Sequence, residues 1–350
     1  MADTDDAEFP ARGWHAIDAA LQVLYPGVEP KHYGSPIPLR LGGRDPLDGV
    51  SVYPRADHWH FVTYGLSELY DKETDDPAVS GWGFEFTFRL ARDDDGTERP
   101  NWALNFLQNL ARYVVESGNT FEPGHRLDLN GPICLADPST AIRGVTFVTD
   151  PELGEIDTPH GRLRFLQVVG LTLPEYAAAE QWDVDRLLEV LGPHMPLFTT
   201  DIGRGNLADD PAIAAAIAEG AAREGSSTGT LYVATVSAQI TAGRTTVTFG
   251  ANAVERIARL LVGRLPFGRG LLVSGPDAAI GFLTGDQLSI ADRGSGLVEI
   301  ELPPALLTEF VAVLRPAAGA YDLPGASELA VQVVKSQIRG ADGSVVAEVG

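Results

Sequence analysis

The residues best suited to chemistry in this chain are His58 and His60, which flank Trp59. If the run is a strand, alternate side chains share one face, so the two imidazoles stand side by side as metal ligands could. Closing such a site needs a third ligand, which His32, His125, His160 or Asp57 could supply only through the fold. A pair of hydrogen-bonded structural histidines packed under an aromatic neighbour is the simpler reading and the preferred one. A metal-binding protein or metal-dependent enzyme built on His58 and His60 stands as the alternative. Cys134 sits among Pro132, Ile133 and Leu135, where a free thiol behaves as a small hydrophobe rather than as a nucleophile paired with His160. Asp150, Glu152 and Glu155 cluster ahead of Gly161 and read as solvated loop carboxylates. Gly203-Arg204-Gly205 is a turn-forming pair of glycines. A phosphate-cradling GxxxxGK[ST] loop and a GxSxG nucleophile elbow are absent, and no GxGxxG opens a helix after a strand. The expectation is a non-enzyme, with no cofactor and no metal.

These residues hang on a mixture of helices and strands. Trp14, Ile17, Leu21 and Leu24 recur at helical spacing across residues 13–27, and Pro26-Gly27 stops the run. After a proline- and glycine-rich connection come two strand-like runs, Val50 to Tyr53 and His58 to Tyr64. Residues 81–90 alternate Trp82, Phe84, Phe86 and Phe88 with small or polar residues, the pattern of a half-buried strand. Trp102 to Val115 reads as an amphipathic helix, with Leu104, Leu107, Leu110, Ala111 and Val114 on one side. Strands at 144–149 and 163–171, a helix around 174–191, a short strand at 197–200 and an Ala-rich helix over 207–225 follow. Beyond residue 226 the spacing predicts a hairpin (230–240 with 244–249) and a helix from Asn252 to Leu265. Strands at 271–274, 279–283 and 297–302 come next, then a helix from Pro304 to Leu314 and a strand at 329–338. With no strict βαβ repeat, the fold class is α+β.

At 350 residues the chain exceeds what one hydrophobic core usually supports, so two mixed α/β domains are expected, 1–225 and 226–350. Of the net charge of −22, residues 226–350 hold 11 acidic and 9 basic residues, which leaves 37 and 17, a net −20, to residues 1–225. Such a field repels nucleic acid and anionic membranes and attracts basic partners, although solubility alone accounts for many acidic surfaces. One cysteine excludes an internal disulfide and a multi-thiolate metal site. The acidic start, Met1 to Glu8, does not read as a signal peptide, so none is expected, and no apolar run reaches membrane-spanning length. The expected compartment is the cytoplasm.

Three blocks then carry a resemblance: GGRDPLDGVSVY (42–53), HWHFVTYGLSELY (58–70) and GWGFEFTFRL (81–90). Further blocks keep order and spacing through LARYV (110–114), TFEPGH (120–125), DTPHGRLRFLQVVG (157–170), QWDVDRLLEVL (181–191) and TDIGRG (200–205). The chain closely resembles the Suppressor of fused family, and a weaker likeness at 260–283 resembles that family's C-terminal domain. With only a few residues between the two parts, it is similar to compact bacterial-type members. The resemblance implies a non-catalytic protein-binding module with a peptide-binding cleft between its domains. There an extended polypeptide adds as a strand, its backbone supplying affinity and alternate side chains specificity. Animal members hold Gli transcription factors in the cytoplasm in this way. The family tyrosine matches Tyr113, and the family aspartate that pairs with the Gli peptide is replaced by His125. The peptide-receiving strand aligns with Leu231 to Val233. Bacterial relatives are suggested to be immunity proteins, which makes a basic toxin a candidate partner. A scaffold without a defined client is the remaining reading.

Overall fold

A computed structural model of the protein describes residues 11–92, 100–241, 243–339 and 344–350. The acidic segment Met1–Glu8 lies outside the described residues. The chain forms two compact units, one of Met1–Tyr176 with Leu188–Asp210, the other of Ala177–Leu187 with Pro211–Gly350. Each mixes helices with sheet, so the α+β class holds. No helix among the described residues is long and apolar enough to cross a membrane.

The first unit is built on an eight-stranded sheet. Its strands are β1 (Lys31–Gly34), β2 (Gly49–Pro54), β3 (His58–Tyr64), β4 (Val79–Ala91), β5 (Arg126–Asp128), β6 (Ile142–Thr149), β7 (Glu155–Thr158) and β8 (Gly161–Thr172). They lie in the order β1-β2-β3-β4-β8-β6-β5, with β7 on β8, so that β5 ends the sheet. Helix α1 (Arg12–Leu24) buries Ile17 and Leu21 against Val62, Tyr64, Leu163 and Phe165 on one face. Helix α2 (Asn101–Ser117) buries Phe106, Leu107, Leu110 and Val114 on the other, against Phe84, Phe86, Phe88 and Phe147. It stops at Gly118, whose left-handed φ of 72° lets its amide close on the Val114 carbonyl at 2.9 Å.

Strand β4 corrects the half-buried expectation. The phenylalanines face α2 as the alternation predicts, but Glu85, Thr87 and Arg89 on the opposite face are also fully buried. Their polarity is satisfied inside the protein rather than by water. Other differences are local. The helix expected over 174–191 is two, α3 (Leu173–Gln181) and α4 (Val184–Leu191). Asp183, between them, accepts the amides of Asp185 and Arg186 at 3.0 and 3.1 Å, starting the second. The strand expected at 197–200 is instead a 3₁₀ turn over Pro196–Phe198. Leu197 and Phe198 both take left-handed φ values there, 52° and 53°, and their carbonyls accept the Gln167 carboxamide at 2.7 and 3.1 Å. That side chain offsets a backbone strain of about 1–2 kcal/mol per residue.

The second unit holds α5 (Pro211–Glu224), α6 (Val254–Arg264) and α7 (Pro304–Val313) with three sheets. Its strands are β9 (Thr230–Tyr232), β10 (Val236–Thr241), β11 (Arg244–Gly250), β12 (Leu271–Ser274), β13 (Ala279–Thr284), β14 (Ser289–Gly294), β15 (Leu297–Leu302), β16 (Gly319–Leu323), β17 (Ala326–Val334), β18 (Ser336–Arg339) and β19 (Val345–Val349). The sheet orders are β10-β11-β17-β16, β14-β15-β13-β12-β9 and β18-β19. Strands β10 and β11 pair as the expected hairpin, but β9 leaves it to pair with β12. The strand expected over 329–338 breaks at Lys335 into β17 and β18. Gly220 lets α5 approach Trp182 closely, since a Cβ there would lie 2.2 Å from the indole.

Candidate functional site

Beneath the α1 face of the first sheet lies a buried polar network that the sequence did not reveal. Arg89 donates through Nη1 to Asp150 Oδ2 at 2.6 Å and to Gln167, and through Nη2 to Asp150 Oδ1 at 3.0 Å and Glu152 Oε2 at 2.8 Å. Thr87 adds a hydroxyl to Asp150 at 2.7 Å, and the amides of Glu152 and Leu153 donate to the same carboxylate. Asp150 is therefore not a solvated loop acid: it is 1% exposed. Burial works against its charge, but the neighbouring His60 imidazole and the Arg89 guanidinium prevail and hold its carboxyl well below the usual range. The Glu152 side chain, 22% exposed, also receives Arg55 at 2.8 Å.

The two strand histidines belong to this network's surroundings. His60 Nδ1 lies 2.6 Å from the Tyr25 hydroxyl and Nε2 lies 3.3 Å from Asp150 Oδ2, while burial pushes the imidazole down to about 4. His58 Nδ1 pairs with Asp57 at 2.8 Å, and burial lowers its imidazole too. The two stand on one face as strand alternation requires, each with its own local partner. Among the described residues no group of three His, Cys, Asp or Glu side chains could hold a metal ion. Cys134 is buried in the apolar core beside Ile133. Arg204 of the glycine turn is committed as well: it grips Glu175 in a two-pronged pair at 2.7 and 2.8 Å and donates to the Gly170 carbonyl.

One open groove of the first unit, of about 570 Å³, runs between α2 and the 127–136 segment. Tyr113 lies at one end of it, 39% exposed, because its helical position falls outside the stripe that carries Leu107, Leu110 and Val114. Its ring stacks on Phe121 at 5.6 Å, and Phe121 stacks in turn on Phe147 at 4.2 Å. The Tyr113 hydroxyl accepts from Asn119 Nδ2 at 3.2 Å, which leaves its own proton free to donate. Trp102, Phe106, Leu129 and Ile133 supply the apolar lining, and Leu135 at the lip is 83% exposed. His125 is exposed in the turn that leads into β5, with Nδ1 accepting the Glu122 amide at 3.2 Å, and does not line the groove.

Leu231 and Val233 belong to the second unit. Strand β9 ends its five-stranded sheet and pairs in parallel with β12 alone within that sheet. The Leu272 amide bonds the Gly229 carbonyl at 2.9 Å, and the Val233 amide bonds the Ser274 carbonyl at 2.8 Å. Odd residues thus turn their backbone groups to β12, and by alternation Thr230 and Tyr232 turn theirs to the open edge. Leu231 itself is 2% exposed and anchors the strand, while the Tyr232 side chain is 79% exposed. Tyr113 and His125 therefore sit in one unit, Leu231 and Val233 in the other.

Residues 43–205 match the family described as Suppressor of fused protein (SUFU). Over 213 residues the chain is 37% identical to the Suppressor of fused homolog of Homo sapiens, a match covering 55% of this chain and 43% of that protein. The Mus musculus homolog matches to the same extent. The chain thus spans less than half the length of the curated relatives it matches. Among solved structures, the Drosophila Suppressor of Fused crystal structure superposes with a TM-score of 0.79 at 19% identity, over 93% of this chain and 98% of that one. A chain of the Sufu–Fu complex crystal structure gives a TM-score of 0.55 at 27% identity, over 59% of this chain and 97% of that one.

Proposed function

We propose that the chain is a member of the Suppressor of fused family, as the match of residues 43–205 supports, and a non-catalytic module that binds a segment of another protein. The observation that carries this reading is the open apolar groove at Tyr113 in the first unit; in the second unit, and separately, β9 ends its sheet. Tyrosine offers a large apolar body and a hydroxyl, a combination suited to holding a strand beside a groove. Thr230 and Tyr232 offer backbone donors and acceptors to an added strand, and pockets beside such an edge select its side chains. The similar chain from the Sufu–Fu complex crystal structure supports a protein partner. His125 stands where the animal family has an aspartate, so the client differs from theirs. The net −20 of residues 1–225 favours a basic client. Neutralisation of a basic toxin is the form of this function that the charge supports.

Capture of partners from a native lysate, followed by binding measurements, tests the reading. Tyr113→Ala should weaken the client by ~1–3 kcal/mol with the circular dichroism unchanged. Tyr232→Pro removes only an outward amide donor and should block strand addition without disturbing the pairing to β12. His125→Asp should alter which client is preferred more than it alters stability. If Tyr113→Ala and Tyr232→Pro both bind the captured client as the parent does, neither surface is the site.

A further inference from the structure

We propose that the groove reads the backbone of an extended partner segment through Asn105 and Asn109, seats an apolar side chain between α2 and Leu135, and holds a basic residue at Asp128. This rests on the protein-binding reading and adds a subsite and the chemistry of the segment it takes. Asn105 and Asn109 are both exposed and both line the groove, one helical turn apart on α2. Four helical residues rise about 6 Å, and alternate residues of an extended chain repeat every 6.6 Å or so. Two carboxamides at this spacing therefore match two peptide groups on one edge of an extended segment. A helical ligand has already satisfied its own mid-chain amides and would leave both carboxamides without work.

The geometry of Asn109 is set in advance. Its Oδ1 accepts Arg112 Nη1 at 2.6 Å, and Arg112 is itself tied to Asp45. The Asn109 amino group is thereby turned outward as a donor for a partner carbonyl. Trp102 and Phe106 lie one position beyond Asn101 and Asn105, on the apolar side of the same helix. An aliphatic or aromatic side chain entering there would cover Leu135, which otherwise stands in water. Asp128 is the single carboxylate lining the groove and is exposed. With the net −20 of residues 1–225 behind it, a lysine or arginine next to the apolar residue is the complementary charge.

The test pans a phage-displayed random dodecapeptide library on the whole chain. Selected peptides are then made with a fluorescent label and titrated by anisotropy. Enriched sequences should pair an apolar residue with a lysine or arginine within two positions. Asn105→Ala and Asn109→Ala should each weaken binding by about 2- to 10-fold, the effect of one hydrogen bond. Leu135→Glu, at an exposed position that leaves the fold alone, should weaken it more than 10-fold, and Asp128→Asn should flatten the salt dependence. Peptides that bind but ignore all four variants overturn the inference, as do peptides that gain helical circular dichroism on binding. If those peptides still respond to Tyr113→Ala or Tyr232→Pro, the protein-binding reading stands without this subsite. A library that yields no binder also overturns the inference, and the lysate capture then decides the reading separately.

Discussion

Replacing Arg89 by methionine keeps the length of the side chain and removes the charge at the centre of the buried network. Asp150 would lose both guanidinium bonds, Glu152 and Gln167 one each, and the carboxylate of Asp150 has no access to water. Breaking a buried pair from one side leaves an uncompensated charge, for which about 3–5 kcal/mol is typical. An exposed pair would contribute less than about 1 kcal/mol, so the two cases separate cleanly. The loss is about a fifth or more of the roughly 5–15 kcal/mol that holds an ordinary domain. It should also depend on pH. In the parent, Asp150 is held low and stays charged; in Arg89→Met its buried carboxyl rises above its unfolded value and takes a proton on folding. The gap between variant and parent is therefore widest near pH 7 and narrows as pH falls toward 4. Adding Asp150→Asn should recover at least ~2 kcal/mol of the loss, a coupling that independent sites would not show. Urea unfolding followed by tryptophan emission reports mainly on this unit, because Trp14, Trp59, Trp82 and Trp102 lie in it and only Trp182 does not. A loss under 1 kcal/mol at pH 7, or simple additivity with Asp150→Asn, would refute the argument.

Three further outcomes follow from the same structure. Phe86→Ala should destabilise the first unit by ~3–5 kcal/mol, since its ring is fully buried between α2 and the sheet; an unmoved urea midpoint would contradict that burial. His60 is depressed to about 4 from an ordinary 6.5, so the unfolded chain takes up its proton first. Stability from this group is fully present above pH ~6.5 and falls by about 3 kcal/mol as pH drops toward 4, a trend His58 and His32 share. Midpoints that agree at pH 7 and pH 4.5 would show that His60 is not buried neutral. Chelator should leave the thermal midpoint where it is, and a fall of several degrees reversed by zinc would restore the metal reading of His58 and His60.

The main strands and helices were legible because their apolar periods are strong, as in Phe84, Phe86 and Phe88 or in Leu107, Leu110 and Val114. The short strands β1, β5, β7 and β14 were not, since three to six residues with mixed burial give no period to read. The buried network escaped for another reason. Arg89 and Asp150 are 61 residues apart, and nothing local tells a buried, paired arginine from a solvated one. One signal was present: two amphipathic helices, α1 and α2, each need a sheet face to cover. Taken together they require a sheet buried on both sides, and hence internal partners for Glu85, Thr87 and Arg89. Of the four residues proposed for binding, Tyr113 was legible as a side chain leaving the stripe of α2. Leu231 and Val233 fall at β9, and which of its residues turn their amides outward depends on the pairing with β12.

Three buried acids of the first unit and the groove beside Tyr113 are built for different work. General acid–base chemistry needs titratable groups with displaced affinities for protons, placed where a substrate can reach them. The buried acids of this unit are spent on the fold. Asp150 serves Arg89, Thr87 and two backbone amides. Glu85 takes the amides of Gly65, Leu66 and Ser67 together with the hydroxyls of Thr63 and Ser67. Glu175 closes the 204–207 turn through Arg204 and the Leu207 amide. The groove beside Tyr113 has the opposite make-up: carboxamides, aromatic rings and aliphatic side chains around one exposed carboxylate. Such a lining has no second acid or base to exchange a proton with Asp128, yet it supplies donors, acceptors and apolar area at fixed spacing on a helix. That helix is rigid because its opposite stripe is locked into the core, and a fixed row of contacts is what holding a polypeptide requires.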